Sequence, residues 1–293
     1  FTYLDGMARD LAAVDAMLRG DTAPQSQTTA FANVVDYLDT GSAGRFGTNN
    51  AFPGATAADD DDFGIEATAM VYIAEAGTYT FGNNSDDGAR IQVQGVRVVN
   101  ADQAQGTTDA FGTMTFEKAG FYDLRYTYFE RAGGASAELF AAKGAHTVWD
   151  AGAFRLVGDV AAGGLAVYSP KGWLADASGS WSSAANWRDG EIADGADAFT
   201  TFSLVDLSAD RTITIGDSET VTMGHVRFGD VDVTGGPHGW TVAGAGTLEL
   251  IATTGQPVLD VVNSQATIEA TLSADSGFEK QGDGTLLLAG TQT

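Results

Sequence analysis

The chain has 293 residues, a net charge of −24 and no cysteine, with Asp and Glu outnumbering Lys and Arg 39 to 15. That length allows two domains, and the missing thiols exclude disulfides, thiolate metal sites and cysteine nucleophiles without deciding the compartment. So acidic a field repels phosphate backbones and anionic lipid, which argues against nucleic-acid and membrane-surface binding.

No run approaches the ~20 apolar residues of a membrane helix. The negative field favours cations such as Ca²⁺ and keeps an extracellular protein soluble; adaptation to salty surroundings explains it equally well. Glycine is abundant at 38 residues and proline scarce at 5, so turns fall to Gly, Asn and Asp, and the Thr, Val and Phe content points to short strands.

Taken in chain order, Leu4, Met7, Leu11, Val14 and Leu18 make one apolar stripe and predict a helix over residues 4–19, stopped by Gly20 and Pro24. Residues 31–63 read as loop and short strand. Strands follow at Ala69–Ile73, Gly77–Phe81, Ala89–Val93, Gly112–Phe116, Gly120–Phe129 and Ala135–Phe140. Their alternation and turn clusters are the pattern of an antiparallel sandwich.

The Gly- and Ala-rich stretch 158–172 reads as a linker. Beyond it Trp173, Trp181 and Trp187 cluster, and short strands are expected at Thr212–Ile215, Thr220–Met223, His225–Phe228, Trp240–Val242, Thr247–Ile251, Val258–Val262, Ala266–Leu272 and Thr285–Leu288. Gly244-Ala245-Gly246 and Gly282-Asp283-Gly284 punctuate them. Short strands in series without helices between them suggest a stacked solenoid whose rungs need neighbours. The fold class is therefore all-β: an antiparallel β-sandwich with one N-terminal helix, then a β-solenoid-like segment.

Two segments carry a family resemblance. GTYTFGNNSDDGARIQVQG at 77–95 and FEKAGFYDLRYTYFERAGGASAELF at 116–140, with the initial YLDG and the FPG segment before an acidic run, resemble the PA14 domain over residues 1–157. The resemblance implies a β-sandwich found in adhesins, flocculins, glycosidases and toxins, several of which bind sugars through Ca²⁺. Residues 173–293 are similar to autotransporter-associated β-strand repeats. Trp173, Gly179-Ser180-Trp181, Asn186-Trp187 and Phe278 through Leu286 carry that likeness, which implies a structural stalk continuing beyond residue 293.

In calcium-dependent PA14 members two adjacent aspartates joined by a cis peptide hold Ca²⁺, and the ion holds sugar hydroxyls; here these would be Asp86 and Asp87. Paired carboxylates suit a hard cation that wants six to eight oxygens. SDDG is also simply a good turn, with Gly88 supplying positive φ. The loop Glu130–Ala135 is the second contributor the family implies. Glu130 would serve as its side-chain oxygen and Arg131 as a sugar contact, although flocculins often carry Asn or Asp at that position. Glu130 reads otherwise as an acceptor for a neighbouring turn.

The run Asp59–Asp62 alternates direction in an extended loop and reads as solvated, without the spacing of a helix-loop calcium site. His146, His225 and His238 lack paired zinc spacing. No Gly-x-Ser-x-Gly elbow, phosphate loop or assignable carboxylate dyad is present, so no enzyme is expected. Trp181, Trp187 and Trp240 read better as caps of a repeat core than as sugar platforms.

The sequence therefore points to a calcium-assisted carbohydrate-binding or adhesion module on a stalk of a secreted or surface bacterial protein. Its expected partners are glycans and further repeats or copies of the chain. A purely structural fibre or coat segment is the rival, and a targeting module for an enzyme is the third reading.

Overall fold

Alternating apolar and polar residues in the first half fold into two antiparallel sheets that bury their apolar sides against each other. The structure is a computed structural model describing residues 1–39, 42–56, 60–231, 237–253 and 255–293. It divides into two units, Phe1–Val167 and Tyr168–Thr293. In chain order the first unit runs β1 (Thr2–Asp5), α1 (Leu11–Leu18), β2 (Ser26–Thr29), β3 (Asp36–Leu38), β4 (Phe63–Ile73), β5 (Gly77–Asp86), β6 (Ala89–Val93), β7 (Val96–Ala101), β8 (Thr108–Phe116), β9 (Gly120–Glu130), β10 (Ser136–Lys143) and β11 (Arg155–Leu156).

One sheet has the order β2-β1-β4-β9-β6-β7, and the other β11-β10-β5-β8 with β3 also paired to β10. Phe63, Ile65, Phe81, Ile91, Tyr126 and Tyr128, all fully buried, fill the space between them. The expected strands are present, but most run longer: β4 begins at Phe63, β5 continues to Asp86 and β8 starts at Thr108. The extra length places residues 86–88 and the end of β9 at the same end of the sandwich, because Ala89 pairs with Tyr128.

The expected helix is corrected. Residues 2–5 are a strand paired on both sides, Met7 is exposed, and the helix covers only Leu11–Leu18. Gly6 at φ +145° separates the two elements, and the Asp10 side chain caps the helix by accepting from Ala13 N at 2.7 Å. Leu4 belonged to the stripe by spacing alone; on β1 it still buries against Leu11 and Val14.

The stretch read as a linker is ordered against the first unit up to Val167. Gly158 N donates to Leu165 O at 2.8 Å and Tyr72 N to Ala166 O at 2.9 Å, while Leu165 and Val167 pack on the sandwich core.

Among the described residues of the second unit the strand ladders are parallel, beside an isolated antiparallel bridge between Trp173 and Trp187. Successive strands visit three sheets in turn. Arg211–Thr214, Trp240–Ala243, Gln265–Ile268 and Thr285–Leu288 lie in register on one of them. The expected strand Ala266–Leu272 is two strands, Gln265–Ile268 and Thr271–Ser273, in different sheets. The chain turns a corner there, with Glu269 N and Ala270 N both donating to Val242 O. Phe199–Thr201 and Glu279–Gln281 are strands the periodicity did not reveal.

The glycine turns are required by the close approach of neighbouring backbone. A Cβ on Gly244 would lie 2.0 Å from Ile215 O, and one on Gly282 2.1 Å from Val261 O. Trp173, Trp181, Trp187 and Trp240 are buried in this unit's core, each donating its indole N–H to a backbone carbonyl. Buried and paired in this way, Trp181, Trp187 and Trp240 offer no face to a sugar ring.

Candidate metal and ligand site

The turn between β5 and β6 carries Asp86 and Asp87, joined by a cis peptide bond. Both Asp87 carboxylate oxygens accept backbone N–H groups: Oδ1 from Gln105 at 2.7 Å and Oδ2 from Arg131 at 3.0 Å. Asp87 is thus tied to the loop after β9, the second segment the sequence singled out. Asp86 Oδ2 accepts from Ser42 Oγ at 3.3 Å, and Ser42 in turn shares a hydrogen bond with Thr107.

Gly88 corrects one expectation. It is not at positive φ; it is glycine because a Cβ would sit 2.4 Å from Ala101 O and 2.5 Å from the Phe129 ring. The turn's backbone at Gly88 is thus wedged between β7 and β9.

Glu130 lies beneath the turn and is fully buried. Its Oε2 accepts from Asp87 N at 3.1 Å and lies 3.0 Å from Tyr128 OH, whose single proton is shared between this oxygen and Asp86 O. Oε1 is buried and closes no hydrogen bond with the described residues. Burial, then the charge of Asp87, push the Glu130 carboxyl up to about 8, and burial together with Asp87 raises Asp86 as well. Arg131 is exposed and joins the site through its backbone N–H.

The three carboxyls thus crowd one end of the sandwich, with burial and mutual repulsion as the leading reasons for the raised values of Asp86 and Glu130. A divalent cation would relieve that repulsion, and oxygen is the only donor type the turn presents. Among the described residues no three His, Cys, Asp or Glu side chains form a ready-made metal set. A cation here would therefore draw on Asp86, Asp87, the vacant Glu130 oxygen and loop carbonyls.

The pH dependence follows from linkage. Folding raises the Glu130 pKa, so the folded chain binds this proton more tightly than the unfolded one. Stability is then highest below the unfolded value near 4.5 and is lost as pH rises towards 8. Calorimetry of the full chain in EGTA between pH 5 and 8.5 is expected to show this fall, and Glu130→Gln to flatten it. An unchanged slope in that variant would assign the titration elsewhere.

Of the acidic run, Asp59 lies outside the described residues. The others diverge. Asp60 accepts from Tyr3 OH and Thr56 N, Asp61 from Gly133 N, and Asp62 pairs with Arg9. Two residues that sequence reasoning did not connect with the site, Asp39 and Asp61, bond to the loop after β9. No local spacing could have shown this, since their partners are 96 and 72 residues away.

These features define an antiparallel sandwich with a paired-aspartate turn abutting a backbone loop. Residues 26–150, within the first unit, match the family model of the PA14 domain. Over 79 residues the chain is 30% identical to the anti-sigma-I factor RsgI3 of Acetivibrio thermocellus, a match covering 27% of this chain and 12% of RsgI3. Among solved structures it is similar to the PA14 domain of the MpAFP antifreeze protein, at 19% identity and a TM-score of 0.37, covering 52% of this chain and 86% of that one. It is also similar to a PA14 sugar-binding domain from an RTX adhesin, at 19% identity and a TM-score of 0.35, covering 52% and 95%.

Proposed function

We propose that the first unit is a calcium-assisted carbohydrate-binding module of a secreted or surface protein. Asp86 and Asp87 hold the ion, carbonyls of the loop after β9 complete its shell, and the ion's open positions take sugar hydroxyls. The observation that carries this reading is the bond from Arg131 N to Asp87 Oδ2, which sets the paired-aspartate turn directly against the exposed loop. The PA14 match over residues 26–150 supports it, since sugar binding is a recurrent use of that domain. Glu130 contributes its vacant oxygen from below and gives up its proton when the cation enters, and Arg131 reaches the sugar. Glycans of a cell surface or polysaccharide are the partners in this reading, and no chemistry is assigned to the chain.

For the second unit we propose a structural role as spacer, similar to autotransporter-associated repeats. Its parallel in-register ladders and closely spaced glycine turns support stacking with further rungs.

Glycan-array binding of the full chain, with calcium and with EGTA, tests the first proposal. Binding of defined sugars that EGTA removes is expected. A specific observation favours the structural rival: both Asp87 oxygens already accept backbone amides, as a purely architectural turn requires. An array blank under both conditions, with no calcium bound in calorimetric titration, would leave that rival standing.

A further inference from the structure

The loop between β9 and β10, residues 131–135, is held from three separate segments. Asp87 accepts from Arg131 N, Asp61 from Gly133 N at 2.8 Å, and Asp39 from Ala135 N. Two bonds run the other way, from Asp62 N to Arg131 O at 3.2 Å and from Asp39 N to Ala135 O at 3.0 Å. Gly133 stands at φ +99° and is followed by Gly134, so the loop has little conformational preference of its own. Its shape is imposed from outside, by the Asp87 carboxylate at the β5–β6 turn and by carboxylates that follow β3 and precede β4.

With Arg131 O and Ala135 O engaged, the carbonyls of Ala132, Gly133 and Gly134 accept no hydrogen bond from the described residues. They are oxygen donors of the kind a hard cation uses. We propose that Asp39 and Asp61 are positioning residues, which fix this loop so that its free carbonyls stand beside the Asp86–Asp87 turn. The proposal rests on reading that turn as a calcium site. It also gives Asp61, a member of the acidic run, a task distinct from that of Asp60 and Asp62.

A tether acts through its acceptor atom, whereas a distant charge acts through its field. Asparagine keeps the acceptor and removes the charge, so it separates the two. Calcium affinity is measured by calorimetric titration on the full chain and on Asp61→Ala, Asp61→Asn, Asp39→Ala and Asp39→Asn. Hydrogen exchange of the 131–135 amides and melting in EGTA are measured alongside. The alanine variants are expected to bind calcium about tenfold more weakly, as losses behind a metal ligand do. The asparagine variants should remain close to the parent, and loop amides should exchange faster only in the alanine variants. Because Asp61 is exposed, its variants should keep the parent melting temperature in EGTA, which separates positioning from general destabilisation.

Alanine variants that bind calcium like the parent would overturn the proposal, and so would asparagine variants as weak as alanine. If the parent itself binds no calcium, the functional reading of the turn fails on its own. The exchange data then decide the tether: protection lost in the alanine variants upholds it, and identical exchange in all five proteins removes it.

Discussion

Asp87→Ala is expected to abolish the stabilisation of the chain by calcium and to lower its melting temperature modestly even in EGTA. The two effects have different origins. An ion that binds only the folded state stabilises it by about 2.7 kcal/mol at a hundred times its dissociation constant. For a domain of this size that corresponds to a rise of about 5–10 °C. Removing the Asp87 carboxylate takes away a ligand and the charge that neutralises the ion, so the rise should vanish rather than shrink. It also leaves Gln105 N and Arg131 N without their acceptor, at a cost of about 1–3 kcal/mol for each that stays buried. Asp60→Ala is the control. It loses the bonds to Tyr3 and Thr56 and should keep the full calcium response. A calcium response that survives Asp87→Ala would remove the turn from the ion's shell.

The largest loss of stability is expected from Phe202→Ala in the second unit. Phe202 is fully buried and meets five aromatic rings: it stacks on Phe228 at 5.3 Å with 10° between planes and packs against Trp173, Trp181, Trp187 and Trp240. Deleting the ring leaves a cavity that rigid indoles, each tied by its N–H to a backbone carbonyl, cannot collapse into. A cost of about 3–5 kcal/mol follows. Urea unfolding followed by tryptophan fluorescence reports it, since four of the five tryptophans surround the site. Leu204→Ala, two residues away at a half-exposed position, should change stability by no more than about 0.5 kcal/mol. Equal effects of the two substitutions would refute this account of the core.

Alternation was enough to locate the strands whose two faces differ. Ala89–Val93 has the same limits in sequence and structure, and Thr220–Met223 and His225–Phe228 likewise. The SDDG turn and the loop after β9 were legible as motifs, and the contact between them follows from the pairing of β6 with β9. Other features lay beyond any local pattern. The stripe from Leu4 to Leu18 is helical in spacing, yet pairing with β2 and β4 gives residues 2–5 backbone partners that a helix would have had to supply internally. Glu279–Gln281 is polar throughout and becomes a strand only because Val258–Asp260 presents an open ladder to it. Gly88 looked like a turn glycine, and its actual reason, the approach of Ala101 O, comes from a strand thirteen residues on. Asp39 and Asp61 were anonymous carboxylates in an acidic chain. Periodicity and motifs record what a residue does with its near neighbours along the chain. Which amide a carboxylate finally holds is a matter of long-range pairing, and that is decided only when the sheets close.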